Sequence, residues 1–570
     1  MSQPAKQHAA RAAPQGSRWW PVQAAPKGVV HAEIEADLSA THTLVQSAAG
    51  LAALAVNEGR SDEMVWVSTG SRPDYARWYT GLAKRLSFEE RGRFGPWELV
   101  QHLRDGGVIA GYILYRSDAS EGDLYTTRPN MDQSLNVATS VAGLLRGVLV
   151  EEAQQAQAQA LGLDMLFDAR DKDLAWCFET YRDRLSRNLL CTQDPKVPHI
   201  RDMAIAHKAF AVYGTGEPIP TVAAWLEPLS PVLGWNSGDE FAFTILPTLY
   251  GHFNTATNWS LNLPLLSAGS EDYAVTPFAT LDPATIDFED ARHAVAFVMS
   301  DGDNVQWLMG SFCMAPDFWA SPDHGGFPFG WTACAPNLMQ LCPETVDYLS
   351  ETQPAETSIL SDPGGYYYPD RFGELRAEPD LLARHARQVA AYMAENGAKI
   401  LWFICHNLKS AAAFAAYDTY AREIDGLLGM FAIQYTPYEG GAGEIFWTQD
   451  RNGVNIPVVT ARYSIWANAR TGNRSGDPEH IAQVINESAA RADRQGRSTY
   501  EWAIVHAWSY FTPAPGAEPR ARGVTPVGWC IEQLDPMVKV VSPEELLWRI
   551  RMGAYPEETR QIIDMIAHPA

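Results

Sequence analysis

The chain has 570 residues, 46% hydrophobic and 20% charged, which is ample material for several packed cores and excludes a disordered or fibrous protein. Its 68 acids outnumber its 44 lysines and arginines, giving a formal net charge of −24. A field of that sign repels phosphate backbones and anionic lipid, so neither nucleic acid nor membrane is expected as a partner.

Residues 1–32 read as a flexible basic arm, because Lys6, Arg11, Arg18 and Lys27 all precede the first acid, Glu33. The arm lacks the apolar stretch of a secretory leader, and no apolar run approaches the ~18 residues of a membrane span, so a cytoplasmic location is expected. Residues 33–170 are predicted to form an α/β domain, with buried strands at 64–67 and 108–114 and a helix over 140–160, where a Gln/Ala run favours helix. A second α/β domain is predicted over 171–285, with strands at 210–213 and 233–235. It closes in a Pro- and acid-rich boundary at 275–290. The seven cysteines form no C-x-x-C pair and read as scattered buried thiols.

The second half is more regular. Strand-like runs stand at 294–299, 327–332, 357–360, 399–405, 430–435, 456–461, 502–505 and 538–541, with clear helical segments at 380–396 and 478–493. This rhythm predicts a (β/α)8-barrel-like domain over 290–555. Several runs end in polar residues: Asp301, Asp303 and Asn304 after the first, Asp362 after the third, His406 after the fourth, Tyr438 and Glu439 after the fifth, Arg462 after the sixth and His506 after the seventh. In parallel α/β architectures the carboxyl ends of the strands share one face, and there they build a site.

One motif stands out, Pro363-Gly364-Gly365-Tyr366-Tyr367-Tyr368-Pro369. With Ser300-Asp301-Gly302-Asp303-Asn304, Ala461-Arg462-Tyr463 and His506-Ala507-Trp508-Ser509, it resembles the GxGYxYP putative glycoside hydrolases, with Pro363 in place of the motif's first glycine. The resemblance covers most of residues 200–550 and implies sugar processing; it supplies no ready-made catalytic residues.

Glycoside hydrolysis ordinarily takes two carboxyl groups, one to protonate the leaving oxygen and one to attack or to activate water. Asp301, Asp303, Glu439 and Asp362 are the catalytic candidates, with Glu444 a rival to Glu439. Tyr366 and Tyr368 are expected to stack on sugar, as are Trp307 and Trp508. Asn304, His406, Arg462, His506 and, from the upstream domain, Asp239 are candidate hydrogen-bonding residues; Glu240 and His252 of the same domain are candidates to reach the cleft, although no spacing argument places them there. No cofactor and no catalytic metal is expected, although Asp301, Asp303 and Asn304 leave room for a structural Ca²⁺. The leading expectation is a glycoside hydrolase acting on an oligo- or polysaccharide. A non-catalytic carbohydrate-binding protein and a metal-dependent carbohydrate hydrolase or deacetylase are the alternatives. The oligomeric state is not legible.

Overall fold

The computed structural model describes residues 16–36, 38–70, 72–467, 472–495, 499–513 and 518–568. The protein is a mixed α/β molecule built from three small parallel sheets and one large curled sheet. In the first small sheet, Gly28–Ile34 lies between Glu63–Thr69 and Glu89–Phe94. In the second, Gly111–Tyr115 lies between Gly147–Glu151 and Met165–Asp168. The third runs in the order Phe253–Thr255, Pro231–Gly234, Leu190–Thr192 and Phe210–Val212. The helix Ala40–Asn57 is buried along nearly its whole length. Its small residues permit this: a side chain at Gly50 would meet the backbone of Asp202 at 2.7 Å.

Two expectations for this half are corrected. Residues 140–160 are not one helix, because helix Ser134–Leu145 gives way to strand Gly147–Glu151 before the short helix Gln155–Ala160. Val148, Leu149 and Val150 are fully buried, and a continuous apolar run of that length has no period that distinguishes helix from strand. Nor is the basic arm free over its described part. Trp19 and Trp20 are buried, and both indole N–H groups donate to Asn337 Oδ1, at 2.8 and 2.9 Å. Both backbone amides donate to Gln340 Oε1 at 3.0 Å, and strand Gly28–Ile34 begins soon after. Two adjacent tryptophans offer more apolar surface than the neighbouring charges can hold in solvent. The first fifteen residues of the arm lie outside the described residues.

The large sheet carries parallel strands His293–Met299, Phe329–Ala333, Thr357–Ser361, Ile400–Cys405 and Gly429–Gln434, side by side in chain order. Tyr500–Val505 pairs with the other edge of His293–Met299. Segment 455–465 then serves both ends of the curl: its first half pairs with Gly429–Gln434 and its second half with Tyr500–Val505. Most of these strands are buried throughout, as expected for parallel strands covered on both faces. The eight-strand regularity read from the sequence holds only coarsely. Val538–Val540 pairs beside the first residues of His293–Met299, where Phe329–Ala333 does not reach, and the unforeseen strand Ile445–Gln449 runs antiparallel at the outer edge. No described helix is long and apolar enough to cross a membrane. All seven cysteines are buried and unpaired.

Candidate active site

The site lies where the carboxyl ends of the large sheet meet the upstream domain. Strand His293–Met299 ends in a turn in which Asp301 adopts a left-handed conformation, with φ of 66°. Gly302 follows because nothing larger fits; a Cβ there would lie 1.7 Å from the carbonyl oxygen of Thr332. The amide of Gly302 donates to Thr332 Oγ1 at 3.0 Å, and its carbonyl accepts from the amide of Cys334 at 2.7 Å. The turn is thereby pinned to the end of the next strand, and Asp301 and Asp303 are fixed on either side of the pin. Asp301 accepts hydrogen bonds from the Ser300 hydroxyl and from Trp508 Nε1, the latter at 3.0 Å. Ser300 is in turn oriented by the amide of Ala507, which donates to its Oγ at 3.1 Å.

Asp362, just beyond Thr357–Ser361, is buried and accepts from the amides of Gly364, at 2.9 Å, and Gly365. Gly365 has φ of 101°, and a Cβ there would lie 2.5 Å from the carbonyl oxygen of Asn254. This closeness lets Tyr366 and Asn254 exchange backbone hydrogen bonds of 2.8 and 3.0 Å, tying the Gly-Gly-Tyr loop to the upstream strand Phe253–Thr255. All three tyrosines of the loop are buried, at 6, 3 and 1% exposure, so the open stacking faces expected of Tyr366 and Tyr368 are absent. They pack instead on aromatic residues of the upstream domain: Tyr366 against Trp235 and Phe243, and Tyr368 against Phe241. Tyr367 turns into the core, where its hydroxyl meets that of Tyr420.

The upstream domain also contributes a carboxyl that no spacing rule singled out. Helix Glu240–Leu249 is capped by Asp239, whose side chain accepts from the amide of Ala242 at 2.9 Å. Asp239 is thus committed to its helix, and the next residue, Glu240, lies within reach of the charge of Asp301. Its carboxyl is pushed up to about 8, first by burial and then by the charge of Asp301, while the hydroxyl of Tyr438 donates to Glu240 Oε2 at 3.2 Å. Asp303 is raised well above the usual carboxylate range by burial, then by Asp362, Asp301 and Glu240. Asp303 Oδ1 has no hydrogen-bond partner among the described residues. Asp362 is pushed up to about 7 by burial, against the two amides it accepts from. Asp303 thus sits within reach of the charges of three other carboxyls, Asp301, Asp362 and Glu240, which oppose its ionisation.

Other foreseen residues surround this cluster. Asn304 Nδ2 donates to the Tyr366 hydroxyl at 3.3 Å. His506 stacks on Trp466, with ring centroids 4.1 Å apart and planes at 8°, and its Nδ1 lies 2.8 Å from Ser509 Oγ. Burial lowers the His506 pKa while Asp301 pulls it the other way. Trp307 packs against Trp508, and the His406 ring lies near Phe241 and Tyr368. The backbone of His406 and Asn407 donates to Asp370, at 2.9 and 2.8 Å, a support that the sequence did not reveal.

Four foreseen residues stand apart: Glu439, Glu444, Arg462 and His252. Glu439 is buried, at 2% exposure, and neither of its carboxylate oxygens has a hydrogen-bond partner among the described residues; burial raises its pKa, and the charge that lowers it is that of Arg474. Its rival Glu444 is exposed and paired with Lys409. Arg462 forms an ion pair of 3.0 Å with Glu501, which is also 3.0 Å from His293. Both partners stand at the start of their strands, at the end of the sheet opposite Asp301. His252 is likewise remote, its Nε2 lying 2.9 Å from the carbonyl oxygen of Ala223. Among the described residues, no group of three or more His, Cys, Asp and Glu side chains is placed to hold a metal ion.

Comparison with known proteins fits this architecture. The model of the GxGYxYP putative glycoside hydrolase C-terminal domain matches residues 291–551, and that of the GxGYxYP_N second domain matches residues 109–185. The chain belongs to the GxGYxYP family. A solved structure, a putative hydrolase from Bacteroides thetaiotaomicron VPI-5482, is similar to it with a TM-score of 0.76, 22% identity, and coverage of 94% of this chain and 97% of that one. At that identity the likeness is one of fold. No curated protein matches the chain. The GxGYxYP loop ties the C-terminal matched region to the strand Phe253–Thr255 upstream of it, through the paired backbone bonds of Tyr366 and Asn254.

Proposed function

We propose that the protein is a glycoside hydrolase that cleaves an oligo- or polysaccharide between carboxyl groups supplied by two domains. The observation that carries this reading is Glu240, a half-buried carboxyl of the upstream helix that accepts from the Tyr438 hydroxyl and is pushed up to about 8 by desolvation and by the charge of Asp301. A glycosidic oxygen leaves only if an acid protonates it, and such an acid must hold its proton at the working pH. Glu240 fills that role, with the Tyr438 hydroxyl orienting it. Asp301 accepts from Ser300 and Trp508 and is the carboxylate that meets the anomeric carbon or the attacking water. Asp303 and Asp362, buried beneath, keep protons in the cluster and hold the site's charge down.

The hydrolase class agrees with the family and with the fold neighbour; the O-glycosyl bond as target is our reading. Asp301→Asn tests it against the carbohydrate-binding alternative. A hydrolase loses turnover by about 10²-fold or more while glycan affinity stays within about threefold. A variant that hydrolyses as fast as the wild type overturns the assignment of Asp301.

A further inference from the structure

The carboxylate of Asp301 takes one of its hydrogen bonds from an indole, and a cation lies over that indole. Trp508 Nε1 donates to Asp301 Oδ1 at 3.0 Å. The guanidinium carbon of Arg522 lies 5.2 Å from the centroid of the Trp508 ring, 5.2 Å from that of Phe318 and 5.0 Å from that of Tyr510. Its Nε donates to Asp317 Oδ2 at 2.8 Å, and its side chain is 25% exposed.

The backbone holds Arg522 in this place on both flanks. Ala521 and Phe511 exchange hydrogen bonds of 2.8 and 2.9 Å, and the amide of Val524 donates to the carbonyl oxygen of Asp317 at 3.0 Å. Gly523, between Arg522 and Val524, has φ of 71°, and a Cβ there would lie 2.0 Å from the same oxygen. The loop therefore approaches Asp317 as closely as a glycine allows. Aromatic neighbours set the indole from other directions, Trp307 at 4.9 Å and Phe312 and Phe318 at 5.4 Å between centroids. Those rings bring no charge. A cation over an indole is held by the ring's quadrupole, and its pull on the ring electrons makes the N–H a stronger donor to a carboxylate.

We infer that Arg522 is a positioning residue for Asp301: paired with Asp317, it fixes and polarises the Trp508 indole, which in turn holds the carboxylate in its orientation. That this orientation serves glycoside cleavage rests on the glycosidase reading; the tether itself does not, and each has its own readout. The first is the indole N–H resonance of Trp508 in the isotope-labelled full chain, identified as the one of 19 that Trp508→Phe removes. Asp301→Asn moves it upfield, and so does Arg522→Gln; in the double variant the two shifts do not add. Arg522→Lys, which keeps the charge, restores most of the shift. The second is turnover of an aryl glycoside. Arg522→Gln lowers kcat about tenfold with KM within about twofold, and with Trp508→Phe already in place it changes kcat by less than about twofold. A resonance that Arg522→Gln leaves in place, or shifts that add to those of Asp301→Asn, overturns the inference. So does a kcat loss that is as large without Trp508 as with it. A wild type that turns over no glycoside removes the glycosidase reading, and the resonance then decides the tether alone. If Arg522→Gln does not fold, Asp317→Asn, which releases the guanidinium, replaces it in both measurements.

Discussion

Replacing Glu240 by Gln separates proton donation from every other contribution to the site. Burial and Asp301 move this carboxyl from the 4.5 of an ordinary glutamate to about 8. At about 1.36 kcal/mol per pKa unit, that gap is worth about 5 kcal/mol in favour of the protonated form. The protonated acid is therefore the resting form at neutral pH, and the wild type loses kcat/KM above about pH 8, close to tenfold per pH unit. Glu240→Gln abolishes that alkaline limb. Its rate loss depends on the leaving group: about 10²–10⁴-fold for an alkyl glycoside, which needs the proton, and little for a dinitrophenyl glycoside, which does not. The assay is kcat/KM against pH for both substrates, wild type and variant side by side. An alkaline limb that persists in the variant, or an equal loss on both substrates, refutes Glu240 as the acid.

Three further outcomes follow from the packing. Gly302→Ala puts a methyl 1.7 Å from the Thr332 carbonyl oxygen, so the turn holding Asp301 and Asp303 must move. Stability falls by about 1–3 kcal/mol in urea titration and activity is lost, whereas wild-type values for both would show that the turn is not pinned. Asn337→Ala removes the acceptor shared by the indoles of Trp19 and Trp20, at a cost of about 2–4 kcal/mol in the same titration; an unchanged midpoint would mean that the docked segment contributes nothing. Glu544 is pushed from 4.5 to about 7, chiefly by burial, so its ionisation opposes folding. Because the folded-state pKa is the raised one, stability is fully present below about pH 4.5 and declines as pH rises through 7, by up to about 3 kcal/mol. Glu544→Gln therefore stabilises at pH 8 and not at pH 4, and an equal effect at both contradicts the reasoning.

The parts of the site built from one parallel sheet were legible in the sequence, because such strands announce themselves as buried apolar runs and release polar residues at one end. Asp301, Asp303, Asp362 and His506 were found in that way, and the structure brings Asp301, Asp303 and Asp362 into one cluster with His506 beside Asp301. Strand order alone does not say which end of a strand a flanking residue occupies. Arg462 follows one strand segment, yet it also precedes Tyr463–Ile465, and it sits with the strand beginnings against Glu501. Glu240 could be named from the sequence but given no role, for a different reason. It belongs to another domain and looks like any acid in the first turn of a helix; only the docking of Phe241 and Phe243 on Tyr368 and Tyr366 carries it to Asp301. The strand Gly147–Glu151 was lost to a neighbouring helical pattern, and the docking of Trp19 and Trp20 was hidden in a segment whose charges read as solvent-exposed.

A glycoside hydrolase breaks the bond between the anomeric carbon and its oxygen. Polysaccharides and aryl glycosides are offered to the wild type and to Asp301→Asn in isotopically labelled water, and the products are weighed by mass spectrometry. Release by the wild type alone is expected, with the heavy oxygen on the anomeric carbon of the freed sugar. Label in a released acid, or no sugar released from any substrate, would contradict it.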